Sequence, residues 1–332
     1  MLFWLTLAAA LIGFLWYMIA VPGTSHTGPL EPLTANEKLL ADNLKRHVTA
    51  VASREHNMFT VSELAAAAVH IERTLAGYGY NPGVQRYAID GVEVRNMEAE
   101  VPGRELAGEI VIVGAHYDSV SGAPGANDNG SGVAAMLELA RLMRESKPSR
   151  TLRFVAFVNE EAPFYRGDAM GSRQYARRSK ARGERIVAMF SLETIGWYSD
   201  RPGSQRYPFP LSFFYPSTGN FLAFVSNLAS RPLLHEAIAS FRRHGAFPSE
   251  GVAAPAFIPG VDWSDHWPFW QEGYRALMVT DTALYRYPYY HTAQDTPDKV
   301  DYERLARVVT GLYGMLRELV QVQDQSTADG RR

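Results

Sequence analysis

Cysteine is absent from this sequence of 332 residues. Disulfide bonds, thiolate metal ligands and a cysteine nucleophile are therefore excluded, whereas the redox compartment of the protein stays open. Any bound metal must use imidazole and carboxylate groups, which suit zinc, manganese or cobalt better than Cu(I) or an iron–sulfur cluster.

A large excess of one charge is also lacking, because 33 basic residues nearly balance 35 acidic residues. No basic stripe dominates, which argues against a dedicated nucleic-acid binder. No internal repeat or low-complexity tract is visible, and no Gly-x-Ser-x-Gly elbow of a serine hydrolase follows a predicted strand. Hydrophobic residues make up 46% of the chain, so a sizeable globular core is expected.

The N-terminal segment contains no charged side chain before Pro22. A helix of about 20 apolar residues spans a bilayer. A cleaved signal peptide usually has a basic start and a shorter apolar stretch. We therefore expect a transmembrane anchor over residues 1–21, with a signal peptide as the alternative, followed by a linker over residues 22–36.

Short apolar segments rich in β-branched residues alternate with helical patterns in the rest of the chain. A helix is predicted to start at Thr60, with a capping box to Glu63. One long helical pattern covers residues 219–244. The alternation predicts an α/β fold with helices on both faces of a sheet. Buried strands are predicted over residues 109–116, 151–159, 185–193 and 274–281.

Reactive side chains follow several of these predicted strands. Glu160 and Glu161 stand side by side at the end of an apolar run. His116 and Asp118 close another run, and Glu193 closes a third. Open α/β sheets bind ligands at the carboxyl ends of their strands, so these side chains are expected in one crevice. Paired carboxylates are costly to bury, and a cation relieves that cost.

Two further candidates lie in loops. Asp128, within an Asn-Asp-Asn-Gly run, is on its own typical of a turn residue. His291 follows an aromatic stretch and is on its own typical of a loop histidine. Together with the strand-end residues, they could hold two divalent metals and leave one carboxylate as a base, which predicts metal-assisted hydrolysis. Asp118 lies close enough in sequence to His116 to orient its ring.

The motifs HYDS, NDNGSG, NEE, SLE, SDHWPFW and YHTAQDTPD, in this order, resemble those of the co-catalytic zinc aminopeptidases of the bacterial leucyl aminopeptidase type. That family also includes glutamate carboxypeptidase II, glutaminyl cyclases and the inactive ectodomain of the transferrin receptor. The resemblance implies a single three-layer domain with a mixed, mainly parallel sheet of about eight strands. A zinc peptidase domain is then expected over residues 37–323, and a disordered tail over residues 324–332.

The resemblance implies two Zn²⁺ per chain, with Mn²⁺ or Co²⁺ as possible substitutes. Transferred motif by motif, it implies that His116 and Glu193 bind one ion. Glu161 and His291 would bind the other ion, and Asp128 would bridge both. Glu193 stands where many relatives have Asp, which changes the reach of this ligand.

The same transfer implies that Glu160 is the general base, that Asp118 orients His116, and that Tyr290 donates to the tetrahedral intermediate. The resemblance implies that a water shared by the two metals would lose a proton to Glu160 and attack the scissile carbonyl as hydroxide. The segment after the paired glutamates is longer than the common short turn of the family, so the resemblance does not determine the shape of the substrate pocket.

The first functional prediction is an aminopeptidase that acts on peptides. A glutaminyl cyclase-like acyltransferase with one zinc and a non-catalytic membrane-anchored ectodomain are the alternatives. Lys38, Lys45 and Arg46 mildly favour a cytoplasmic domain. The resemblance to exported and membrane-bound bacterial members favours an extracytoplasmic catalytic domain behind a single-pass anchor. The oligomeric state is left open.

Overall fold

A computed structural model describes residues 1–321, and they form one α/β domain preceded by an apolar helix. The predicted tail over residues 324–332 lies outside the described residues. The strands are β1 Gly83–Ile89, β2 Val92–Val101, β3 Leu106–His116, β4 Arg150–Phe157, β5 Arg185–Glu193, β6 Leu222–Ser226, β7 Ser249–Ala253 and β8 Ala276–Thr280.

All eight strands belong to one mixed sheet in the order β1-β2-β4-β3-β5-β8-β6-β7. β3 pairs in parallel with β4 and β5, β5 with β8, and β6 with β7. The remaining pairings are antiparallel. The prediction of a mixed, mainly parallel sheet is therefore confirmed.

Helices cover both faces of this sheet, as predicted. α2, α3, α4, α6 and α9 share one apolar core with the sheet, and α5 and α7 pack on the opposite face. Alternate residues of β3 serve the two cores: Val111 and Val113 face one, and Ile110 and Ile112 face the other. The helices are α1 Leu2–Ile19, α2 Ala35–Ala52, α3 Val61–Gly77, α4 Gly132–Met143, α5 Gly171–Ala181, α6 Arg231–His244, α7 His266–Gln271, α8 Ala283–Arg286 and α9 Tyr302–Leu319.

The long helix predicted over residues 219–244 is wrong. Its first half is strand β6, which is fully buried between β7 and β8, and only its second half is helix α6. A short apolar run fits a buried strand and a buried helix equally well by periodicity. The Asn227 side chain accepts a hydrogen bond from the Ser230 amide at 2.8 Å and separates the two elements.

The capping box predicted at Thr60 is also wrong. The Thr60 hydroxyl instead donates to the carbonyl oxygen of Glu55 at 3.0 Å. A capping box does form at the start of α2, where the Glu37 side chain accepts from the Thr34 amide and the Thr34 side chain accepts from the Glu37 amide. Both sites fit the same sequence pattern, and tertiary contacts decide which one forms the cap.

Helix α1 is long and apolar enough to cross a membrane, with a mean hydropathy of 2.0 over 18 residues, although a signal sequence has the same properties. Most of its side chains are exposed, but Met18 is buried in an apolar cluster with Phe221 and Met278. The Arg231 guanidinium donates to the carbonyl oxygen of Tyr17 at 2.8 Å. The C-terminal end of α1 therefore contacts the domain.

Candidate metal centre and active site

The carboxyl ends of three adjacent strands bring the predicted residues together. β3 lies between β4 and β5 and runs parallel to both. His116 is the last residue of β3, Glu193 is the last residue of β5, and Glu160 and Glu161 follow β4 by a few residues. All four residues are buried. The predicted convergence at this edge of the sheet is therefore observed.

Two groups of imidazole and carboxylate atoms share Asp128. His116 Nε2 lies 3.4 Å from Asp128 Oδ1 and 3.3 Å from Glu193 Oε2. His291 Nε2 lies 3.0 Å from Asp128 Oδ2 and 3.3 Å from Glu161 Oε1. Asp128 thus directs one carboxylate oxygen towards each group. The arrangement matches a bridging carboxylate between two cation positions.

Unsatisfied buried atoms in these groups indicate a cation. Within residues 1–321, His116 Nε2, Asp128 Oδ2 and Glu161 Oε1 are buried without a hydrogen-bond partner. Ligand atoms of these three residues all lie within 4.8 Å of one another. Such atoms are costly to bury unpaired, and imidazole nitrogen and carboxylate oxygen are preferred zinc ligands. The residues present therefore fit a metal site.

The electrostatics of the metal-free cluster agree with this fit. Burial raises the pKa of Glu193, and burial together with the Asp128 charge raises the pKa of Glu161 to about 7. Burial lowers the pKa of His291, but its close contacts with the Asp128 and Glu161 carboxylates outweigh this effect and raise the pKa to about 11. Protons thus neutralise excess negative charge that a divalent cation would otherwise neutralise.

Glu160 stands apart from both groups. Its Oε2 lies 4.0 Å from His116 Nε2, and 10% of its side chain is exposed. Burial raises the pKa of Glu160 well above its ordinary value; His116 opposes this shift, and Glu161 and Glu193 add to it. A carboxylate beside a metal cluster but outside the ligand groups is free to exchange a proton.

Asp118 supports the turn that carries the paired glutamates. Its Oδ1 accepts a hydrogen bond from the Glu160 amide at 3.0 Å, and its Oδ2 accepts one from the Glu161 amide at 3.1 Å. His116 Nδ1 lies 3.0 Å from the carbonyl oxygen of Asp118 and 3.6 Å from its carboxylate. The nearer contact that orients the His116 ring is therefore made by the backbone of Asp118.

Tyr290 borders the more open side of the cluster. Its ring stacks on that of His291, with the centroids 3.9 Å apart, and 37% of the His291 side chain is exposed. Burial raises the pKa of Tyr290 well above its ordinary value, and the charges of Asp128 and Glu161 add to this effect. The phenol stays protonated and can act as a hydrogen-bond donor.

The sequence analysis missed two residues that hold the ligands in place. Asp295 accepts hydrogen bonds from the amides of Asn127 at 2.8 Å and Asp128 at 3.1 Å. Ser264 donates to Glu193 Oε2 at 2.7 Å. Both residues lie within the motifs quoted above, but nothing in those motifs distinguishes a supporting side chain from a turn residue.

Asp265 is a further buried acid near the cluster that the sequence analysis did not identify. Burial raises its pKa to about 7, whereas His116 and Ser172 oppose the rise. Its negative charge also adds to the raised pKa of Glu160. It lies between Ser264 and the first residue of α7, so the start of this helix brings both a hydroxyl and a carboxylate close to the cluster.

This fold, with its buried imidazole–carboxylate cluster at the strand ends, is typical of metal-dependent α/β hydrolases. Residues 96–314 match the family model of peptidase family M28, and the chain belongs to this family. The resemblance to aminopeptidases of this type is thereby confirmed.

Relatives and solved structures agree with this assignment. The chain is 36% identical over 298 residues to the uncharacterized protein YfbL of Escherichia coli, covering 87% of this chain and 90% of YfbL. A probable leucine aminopeptidase of Arthroderma otae is 26% identical over 313 residues, which cover 88% of this chain and 76% of that protein. BSAP, a zinc aminopeptidase from Bacillus subtilis, superposes with a TM-score of 0.68 at 16% identity, covering 90% of this chain and 98% of BSAP, which shows a shared fold.

Proposed function

We propose that this chain is a dinuclear zinc aminopeptidase that hydrolyses the N-terminal residue from peptides. The observation that carries this proposal is the pair of imidazole–carboxylate groups that share Asp128. The family membership and the relatives named as aminopeptidases support a peptidase of this type. Mn²⁺ or Co²⁺ could replace zinc, because the ligand atoms are nitrogen and oxygen.

In this proposal two residues would hold each metal, and the Asp128 carboxylate would contribute to both positions. His116 and Glu193 would hold one ion, and His291 and Glu161 would hold the other. When bound, the ions supply Lewis acidity towards the scissile carbonyl and lower the pKa of the attacking water. Ser264 fixes the orientation of the Glu193 carboxylate through its hydrogen bond.

The remaining side chains act on protons and on charge. Glu160, outside both ligand groups, takes a proton from the attacking water and returns it to the leaving amine. Asp118 keeps the backbone of Glu160 and Glu161 in place. Tyr290, protonated and next to His291, donates a hydrogen bond to the oxygen on which negative charge develops.

We also propose that residues 1–21 anchor the protein as a single-pass helix, that residues 22–36 form the linker, and that residues 37–323 form the peptidase domain outside the cytoplasm. The buried Met18 and the hydrogen bond from Arg231 to Tyr17 support an uncleaved segment, because both contacts need the intact helix end. N-terminal sequencing of the membrane fraction tests this, and a mature chain that starts after residue 21 would contradict it.

The activity is tested with purified full-length protein in detergent. Metal analysis should give about two zinc ions per chain. Mass spectrometry should show the loss of single N-terminal residues from free peptides and no cleavage of acetylated ones. Cyclisation of N-terminal glutamine with one bound zinc would support the cyclase alternative instead. A metal-free protein that binds peptides without cleaving them would indicate the non-catalytic ectodomain.

A further inference from the structure

An apolar cavity opens beside the proposed active site. The cavity and its mouth, which is open to solvent, together enclose about 850 Å³, and Glu193 and Tyr290 of the site lie in the cavity wall. The rest of its lining is formed largely by apolar and aromatic side chains from the last third of the chain, among them Phe221, Met278 and Trp263. A concave apolar surface with few polar groups is typical of a ligand-binding pocket.

One further carboxylate lies in this lining, and its position follows from the strand register. Glu193 pairs with Thr280, Thr280 with Ala223, and Ala223 with Glu250. Directly paired residues point to the same face of a sheet, so these four side chains form one row. Three strand spacings place Glu250 about 14 Å from Glu193. The small side chains of Thr280 and Ala223 leave the floor between the two carboxylates open.

Glu250 has no neutralising partner in the described part of the chain. Its half-buried carboxylate takes part in no hydrogen bond or ion pair there, and the Arg242 guanidinium, whose charge acts on it, lies beyond ion-pair distance. The Arg242 guanidinium donates instead to Ser249 and to the carbonyl oxygens of Pro22 and Gly23. Within the described residues, the cavity lining contains no lysine, arginine or histidine.

The two tyrosine hydroxyls near Glu250 already donate their hydrogen bonds to backbone carbonyl oxygens. Tyr207 and Tyr215 donate their hydroxyls to the carbonyl oxygens of Pro216 and Gly251. Burial raises the pKa of Glu250, which shows that its charge is poorly solvated. A cation that entered the cavity would therefore meet an unpaired acceptor in apolar surroundings.

We propose that Glu250 selects peptides whose N-terminal residue is lysine or arginine, an inference that rests on the proposed aminopeptidase function. The aliphatic stem of such a side chain would lie against the apolar walls while its charged end pairs with Glu250. A leucine or norleucine side chain would contact the same apolar walls but leave the Glu250 carboxylate unpaired. The preference is thus set by one side chain at the far end of the pocket.

Norleucine differs from lysine in lacking the terminal amino group, so this pair isolates the interaction with Glu250. The zinc-loaded full-length protein is assayed with lysyl, arginyl and norleucyl aminomethylcoumarin substrates, next to Glu250→Gln. We expect the wild-type protein to prefer lysine and arginine. The substitution should lower the ratio of lysyl to norleucyl kcat/KM by about tenfold or more, because it removes a poorly solvated charge pair. Glu236→Gln, on the exposed surface of α6, is the matched control and should leave this ratio unchanged.

The outcomes separate this inference from the proposed function. Norleucyl turnover with little lysyl turnover, and a ratio that Glu250→Gln does not change, would overturn the role of Glu250 while the aminopeptidase stands. If no substrate is cleaved, the proposed function is wrong. Calorimetric titration with free lysine and norleucine then tests whether Glu250 binds the charged end of a lysine side chain. Lysine binding that the variant weakens supports the pocket, and equal binding of both amino acids refutes it. Thermal unfolding confirms that each variant is folded.

Discussion

Glu160→Gln tests the division between metal ligands and base most directly. Glutamine has nearly the volume of glutamate, so the buried surroundings of residue 160 stay filled. The two proposed ligand groups are formed by other residues, and the backbone N–H of residue 160 can still donate to Asp118. The substitution therefore removes a proton acceptor and leaves both metal positions unchanged.

The expected magnitude follows from this separation. A positioned general base contributes about 10²- to 10⁴-fold in rate, which corresponds to about 3–5 kcal/mol of activation free energy. We expect kcat of Glu160→Gln to fall within this range, while KM changes little. Glu160→Asp keeps a base but withdraws it by one methylene, and a displacement of about 1 Å can cost about 100-fold. Its kcat should therefore lie between those of the wild type and Glu160→Gln.

Initial rates on a free peptide and metal content are measured on the same preparations. Glu236→Gln on the exposed face of α6 provides the control for an acid-to-amide change far from the cluster. A Glu160→Gln protein that keeps its zinc and loses less than about tenfold in kcat would refute the role as base. Loss of zinc from this variant would instead make Glu160 a ligand.

Three further predictions concern metal binding and stability. His291→Ala should lose about one of the two proposed zinc ions per chain by mass spectrometry of the native protein, and full loading would remove His291 from the ligand set. Burial raises the pKa of Glu161 to about 7 in the metal-free protein. The stability that the protonated Glu161 carboxyl group contributes is fully present below its ordinary pKa and is lost as the pH rises through about 7. Chelation should therefore lower Tm more at pH 8 than at pH 5.5, and an equal loss at both would contradict this. Thr34→Ala should lower the free energy of unfolding by about 1 kcal/mol in denaturant titrations because it breaks the capping box of α2, and a change near zero would refute the cap.

The central strands and the reactive residues at their ends could be predicted from the sequence. β3, β4, β5 and β8 are buried on both faces, so each is a nearly continuous apolar run that stands out from helical periodicity. A polar residue that closes such a run marks the sheet edge where ligands bind. For this reason His116 and Glu193 could be placed in one crevice without any knowledge of the pairing order.

Elements that depend on distant contacts could not be predicted in the same way. β6 is a short apolar run that fits a helix and a strand equally well by periodicity, and its pairing with β7 and β8 makes it a strand. Asp295 holds the Asp128 amide although 167 residues separate them in sequence. The row that aligns Glu250 with Glu193 depends on three strand pairings, one of them antiparallel. No local pattern carries information of this kind.

The charges of the cluster are a physical argument for the proposed pair of cations. Asp118 and Asp295 bind backbone amides, which hold these carboxylates in place without adding a positive charge nearby. Asp128, Glu160, Glu161 and Glu193 carry four negative charges when ionised, which two divalent ions would neutralise, and Asp265 adds a further buried carboxylate nearby. A single ion would leave more of this charge buried and uncompensated than two ions would, and uncompensated buried carboxylates are costly.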